Sequence, residues 1–151
     1  MSYSEEIVDK ALVPSSNAFL TACNLAAAIG DYGLMYAGEQ VVITRIMAIV
    51  TTTMVADVTA PVLTFYARPT FGTTTGQVTI GTLTVPDLTA AGKILYKNIE
   101  SAKIPQGYTI AVNRSTQASS SGTAAGACLV MLKSFVAVED PRNVTLMIAS
   151  A

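Results

Sequence analysis

The sequence predicts an all-β chain: an antiparallel β-sandwich or jelly roll, preceded by an N-terminal arm that holds either a short helix or an extended segment. Three observations carry this. About seven runs of 5–14 residues, rich in β-branched and aromatic side chains, are separated by turn residues. Beyond residue 40 no stretch keeps a helical period. Nothing repeats at a spacing of about 20–50 residues, which sets solenoids and propellers aside. The division is residues 1–38 for the arm and residues 39–151 for the sandwich.

The elements follow in order. Ser2–Lys10 is dense in charge (Glu5, Glu6, Asp9, Lys10), and a small apolar group follows in Ile7, Val8, Leu12 and Val13 before Pro14. With little of its own to fold around, this reads as an arm. From Ala18 to Ile29 the side chains Phe19, Ala22, Cys23, Ala26 and Ile29 fall at helical spacing, with Asn17 as cap. An extended segment lying along a partner is the rival reading. Asp31-Tyr-Gly33 reads as a turn.

From Glu39 the pattern turns to β. Val41–Met54 is β-branched and apolar on both parities as far as Thr51, as in a strand covered on both faces. Val62–Ala67 follows the break at Pro61, and Arg68–Gly76 is a loop with an exposed-looking Phe71. In Gln77–Val85 the apolar parity flips: Val78 and Ile80 are even, Leu83 and Val85 odd. A bulge at Gly81 accounts for the flip. Gly92–Ile99 is a short strand, and Pro105-Gln-Gly107 a turn. In Tyr108–Arg114, Tyr108, Ile110 and Val112 face one way and Thr109, Ala111 and Asn113 the other. Ser115–Gly126 is a polar loop, Ala127–Val138 is again apolar on both faces, and Val144–Ile148 is a terminal strand after the Glu139-Asp-Pro141 break.

Composition narrows function. Of 151 residues, 13% are charged and 51% hydrophobic, with a formal net charge of -1. The mean hydropathy is +0.49 and the isoelectric point about 5.2. A nucleic-acid binder needs a basic footprint that this chain lacks. There is no His, so the commonest general base and metal ligand is missing. The N-terminus has neither the basic start nor the apolar run of a signal peptide, and the longest apolar stretches fall short of a membrane span. The expected compartment is the cytoplasm, with Cys23 and Cys128 reduced and placed in the core or an interface. A Cys23–Cys128 disulfide is the rarer alternative.

Candidate chemistry is thin. Glu139-Asp140 would point to opposite faces of a strand, and Asp57 and Asp87 lie in turns. No D-x-D-x-D spacing suggests calcium. Gly122–Gly126 lacks the Gly-Lys-Ser/Thr ending of a phosphate loop. Neither Lys103 nor Lys133 has a signature that would pair it with a serine nucleophile. The expectation is no enzyme, no cofactor and no metal.

Surface balance is more informative. Two strands are apolar on both faces, yet a two-layer sandwich buries one face of each. The other face needs cover from residues 1–40 or from a neighbouring subunit, because contiguous apolar patches are rare on monomers. Segments AGKILYKNIESAKIPQGYTIAVNRS (91–115) and TAAGACLVMLKSF (123–135) place a strand, a Pro/Gly turn, a strand ending in a polar loop and a long apolar strand in succession. With the arm and the His-free, Thr/Ala/Gly-rich composition, this resembles tailed-bacteriophage head-decoration or cement proteins of jelly-roll type. The likeness covers about a third of the chain and brings no site motif. It implies a non-enzymatic virion protein, made in the host cytoplasm, that self-associates (often as trimers) and clamps the major capsid protein lattice. The expected partners are further copies of itself and that lattice, with no nucleic acid and no membrane. The contact residues expected are Ile7, Val8, Leu12 and Val13 of the arm and Phe71 of the loop. The alternatives are a receptor- or glycan-binding sandwich, presenting aromatics near Phe71 and Ser115–Gly126, or another virion part such as a tail or head–tail joining protein.

Overall fold

A computed structural model describes residues 21–27 and 30–136. The arm residues Ile7, Val8, Leu12 and Val13, the Glu139-Asp140 pair and the expected strand Val144–Ile148 lie outside the described residues.

Eight strands account for the described fold: β1 (Thr21–Asn24), β2 (Asp31–Tyr36), β3 (Val41–Val55), β4 (Val62–Arg68), β5 (Val78–Thr84), β6 (Ile94–Ile104), β7 (Thr109–Thr116) and β8 (Ala125–Val136). They form two four-stranded sheets, sheet I in the order β1-β8-β3-β6 and sheet II in the order β2-β7-β4-β5. Every pairing is antiparallel. The pairs are nested: β4 with β5, β3 with β6, β2 with β7 and β1 with β8, alternating between the sheets. A long antiparallel ribbon rolled once around its own core gives this order, and it is the jelly roll. The expected all-β sandwich is thus the observed fold.

Two local readings are corrected. Thr21–Asn24 is a strand rather than helix, paired with β8. Alternating small residues satisfy a helical period and an edge strand equally well, and the backbone partner offered by β8 decides. Asp31-Tyr-Gly33 is no turn but the first half of β2. Thr21–Asn24 and Asp31–Tyr36 therefore extend the two sheets at their edges instead of lying across a face.

The core sits between the sheets. Ile43, Ile46, Val50 and Met54 of β3 and Cys128, Val130 and Leu132 of β8 meet Leu63 and Phe65 of β4 and Ile110 and Val112 of β7, all buried. Each large apolar side chain so placed contributes about 1.5–3 kcal/mol. The bulge expected at Gly81 is present: Phe65 pairs with Gly81 and Tyr66 with Thr79, which leaves Ile80 as the extra residue. Ile80, Leu83 and Val85 thereby all point inward. The Pro105–Tyr108 turn closes on a Tyr108 N–H to Pro105 carbonyl bond of 3.4 Å, with Gly107 at φ 90 as a type II turn requires.

Candidate interaction face

The outer face of sheet I carries an apolar field. Register sets Leu129 of β8, Ile49 of β3 and Ile94 of β6 in one row, and Met131, Met47 and Tyr96 in the next. Met47, Ile49, Leu129 and Met131 are half-buried, whereas Ile94 is 56% and Tyr96 59% exposed. Polar side chains come in a third row, where the charged Lys133 and Arg45 align with Asn98. Arg45 lies over the Tyr96 ring with its guanidinium carbon 4.8 Å from the centroid, and its Nε donates to Asn98 Oδ1 at 2.8 Å. The inward parity of these same strands supplies the core. This explains the double-sided apolar pattern of Val41–Val50 and Ala127–Val136.

The outer face of sheet II is polar. Arg68 stacks on Tyr66 at 3.8 Å, donates from Nε to Gln77 Oε1 at 2.8 Å and meets Asp31 Oδ2 at 3.1 Å. Asn113 Nδ2 donates to the other Asp31 oxygen. Burial works to raise the Asp31 carboxyl, but Asn113, Tyr66 and Arg68 outweigh it and hold it below the ordinary carboxylate value. The Tyr66 hydroxyl is buried beside that carboxylate, short of a well-formed hydrogen bond; burial first, then Asp31, push it up to about 12. Tyr36 and Phe71 flank this cluster, both exposed. Phe71 is 49% exposed, and its ring lies 4.0 Å from where a Cβ on Gly33 would stand.

Between the sheets lies a third group. Arg114 is fully buried on the inward parity of β7; its Nη1 donates to the Asn24 carbonyl and, at 3.2 Å, to the Tyr32 hydroxyl. Its Nε and Nη2 have no hydrogen-bond partner among the described residues. Beside it Cys23 and Cys128 face each other, both free and buried. The Cys128 thiol is the first cause that lowers Cys23; burial opposes it, and Arg114 and the Tyr32 hydroxyl add to it. Cys128 is shifted up by the same contact and by burial.

The remaining candidates are structural. Asp57 accepts from the Ser121 N–H at 2.8 Å and from its hydroxyl, and Asp87 accepts from the Ala56 N–H at 2.7 Å. Both carboxylates thus tie loops together. Gly126, at the end of the glycine-flanked loop, packs on Met54 and has φ 145. Lys103 and Lys133 are exposed. Among the described residues no three His, Cys, Asp or Glu side chains converge on a metal site. An open hollow of about 320 Å³ is lined by Asn24, Thr52 and small residues of 124–127, with no titratable group. Of the five expected contact residues, Phe71 is described and is exposed; the four arm residues lie outside the description.

The face of sheet I was legible as a pattern but not as a surface, because its rows depend on register across distant strands. The Arg68 cluster carries no sequence signal, since Asp31, Arg68 and Asn113 are far apart in the chain. Arg114 does carry one: it shares the parity of Ile110 and Val112. No protein-family model, no curated protein and no solved structure matches this chain.

Proposed function

We propose that this protein is a non-enzymatic structural protein of a virion, a cement or decoration protein that self-associates and binds a capsid lattice. The observation that carries the reading is the outer face of sheet I, where Ile94 and Tyr96 are exposed beside Met47, Ile49, Leu129 and Met131. Contiguous apolar surface of this kind marks association sites. A sheet face suits a second copy or a neighbouring subunit, because it offers area without a pocket. Repetition by symmetry then multiplies weak contacts into firm attachment. The jelly roll itself recurs in viral shells and in lectins, so the fold agrees with the reading without selecting it.

The test is the solution mass of the full chain over a wide concentration range, with the chain lacking residues 1–16 beside it. A stable trimer or larger ring, weakened by the deletion, supports the reading. A monomer at high concentration overturns it. Mass spectrometry of purified particles whose genome carries this gene then tests the virion assignment, which fails if the chain is absent from them.

A second reading has its own observation. On sheet II the exposed Tyr36 and Phe71 flank the planar polar groups Asp31, Arg68, Asn113 and Gln77. Aromatic rings beside planar hydrogen-bonding groups suit a sugar. Binding on a glycan array that is lost in Phe71→Ala favours this reading, and an array without hits removes it.

A further inference from the structure

The only two cysteines of the chain, 23 and 128, stand directly opposite each other in the register of β1 and β8. Opposed residues of an antiparallel pair have Cα atoms about 4.5–5.5 Å apart, within the span that a disulfide bridges. Both side chains turn into the core and both thiols are free. The buried Arg114 is the second observation. Its Nε and Nη2 lack partners among the described residues, and its charge acts on Cys23. A buried cation next to a thiol favours the nucleophilic thiolate.

We propose that Cys23 and Cys128 are a redox-responsive pair, which closes into an intramolecular disulfide across β1 and β8 when the chain meets a small disulfide such as oxidised glutathione. Cys23 gives up its proton, its thiolate attacks one glutathione sulfur, the glutathione S–S bond breaks, and the first glutathione leaves, taking up that proton. Cys128 gives up its proton, and its thiolate attacks Cys23 Sγ. The bond from Cys23 to glutathione breaks and the second glutathione leaves, taking up that proton. In sum two protein thiols are oxidised to one disulfide and one glutathione disulfide is reduced to two thiols.

Access comes from the sheet edge. Among the described residues β1 is four residues long and pairs with β8 on one side only, so it opens at low cost compared with the central strands. Closure fastens to β8 the strand into which the N-terminal segment runs. A dithiol reductant reverses the cross-link by the same thiol–disulfide exchange.

The experiment is incubation of the full chain with oxidised glutathione, in buffer and in urea below the unfolding transition, followed by unfolding, alkylation and intact mass. The expected result is loss of two hydrogen masses with neither thiol alkylated, and recovery of both thiols after dithiothreitol. Cys23→Ser and Cys128→Ser each abolish the loss and leave a single glutathione adduct at most. The inference is overturned if both wild-type thiols remain alkylatable under both conditions. It is equally overturned if glutathione adducts accumulate on the wild type without closure.

Discussion

Asp31 at the start of β2 and Arg68 at the end of β4 form an ion pair of 3.1 Å that reaches across β7 on the outer face of sheet II. Arg68 gets there by lying flat on the Tyr66 ring. The pair thus links the edge strand β2 to the middle of its sheet. A partly buried pair with further hydrogen bonds is worth more than a loose surface pair.

Asp31→Asn is expected to lower stability by about 1–2 kcal/mol at neutral pH. The folded carboxyl lies below its unfolded value of 3.8. Its contribution is therefore fully present above that value and is lost as pH falls through the lower, folded one. Urea denaturation of both chains checks this. The gap between their midpoints should be constant from neutral pH down to the ordinary carboxylate range and then close in acid. A gap that is unchanged in acid would show that the charge on Asp31 is irrelevant.

Gly126 and Gly81 make a paired prediction. A Cβ on Gly126 would stand 2.6 Å from Met54 Sδ and Cε, at a φ of +145. Met54 is buried, so its end has no easy way to move aside. Overpacking and backbone strain together make Gly126→Ala destabilising by about 2–4 kcal/mol. A Cβ on Gly81 would meet Ile99 Cδ1 at 2.8 Å, but that is the tip of a half-buried side chain with an ordinary backbone behind it. Gly81→Ala should cost about 1 kcal/mol or less. Thermal unfolding of both variants decides, and equal losses would refute the distinction.

What the sequence made legible follows from where its information is local. Strands β3, β4, β5, β7 and β8 show in runs such as VVITRI and VLTFYA, whose β-branched and aromatic side chains suit a pleated surface. The bulge in β5 shows because a parity flip has a single cheap cause. β1 and β2 do not show, because strands of four and six residues with Ala, Cys, Gly and Met have little propensity of their own. They are held by β8 and β7, about a hundred residues further along in β1's case, and that pairing is tertiary. The same holds for the rows on sheet I. Alternation predicted that a second apolar face exists, while the register that sets Ile49 against Ile94 and Leu129 is invisible until the sheet closes. For Arg114 the parity was readable, and the habit of placing arginine outside hid it.

Asp57 gives a prediction about the loop between β7 and β8. Hydrogen bonds from Ser120 first, and then from Ser121, hold this exposed carboxylate to about 2. An NMR titration of the side-chain carboxyl carbon should find its midpoint there, well below a free aspartate. Asp57→Ala removes the acceptor of the Ser121 N–H, so exchange of that amide with solvent should speed up while core amides keep their protection. An ordinary midpoint, or an unchanged Ser121 exchange rate, would mean that the loop is not anchored this way.

The association proposed for the outer face of sheet I can be separated from folding. Ile94 and Tyr96 are more than half exposed within one copy, so Ile94→Lys combined with Tyr96→Ser should change the monomer's stability by about 0.5 kcal/mol or less per site. The same pair of changes puts a charge and a small polar group into the proposed apolar contact, which is costly if that face is covered. Sedimentation velocity at rising concentration should therefore show the variant smaller than the parent at every loading, with the denaturation curves nearly superimposed. If the assembly persists unaltered, the face is not where copies meet. If instead the variant unfolds far more easily, Ile94 and Tyr96 serve the single copy's own stability, and the exposed rows have a different explanation.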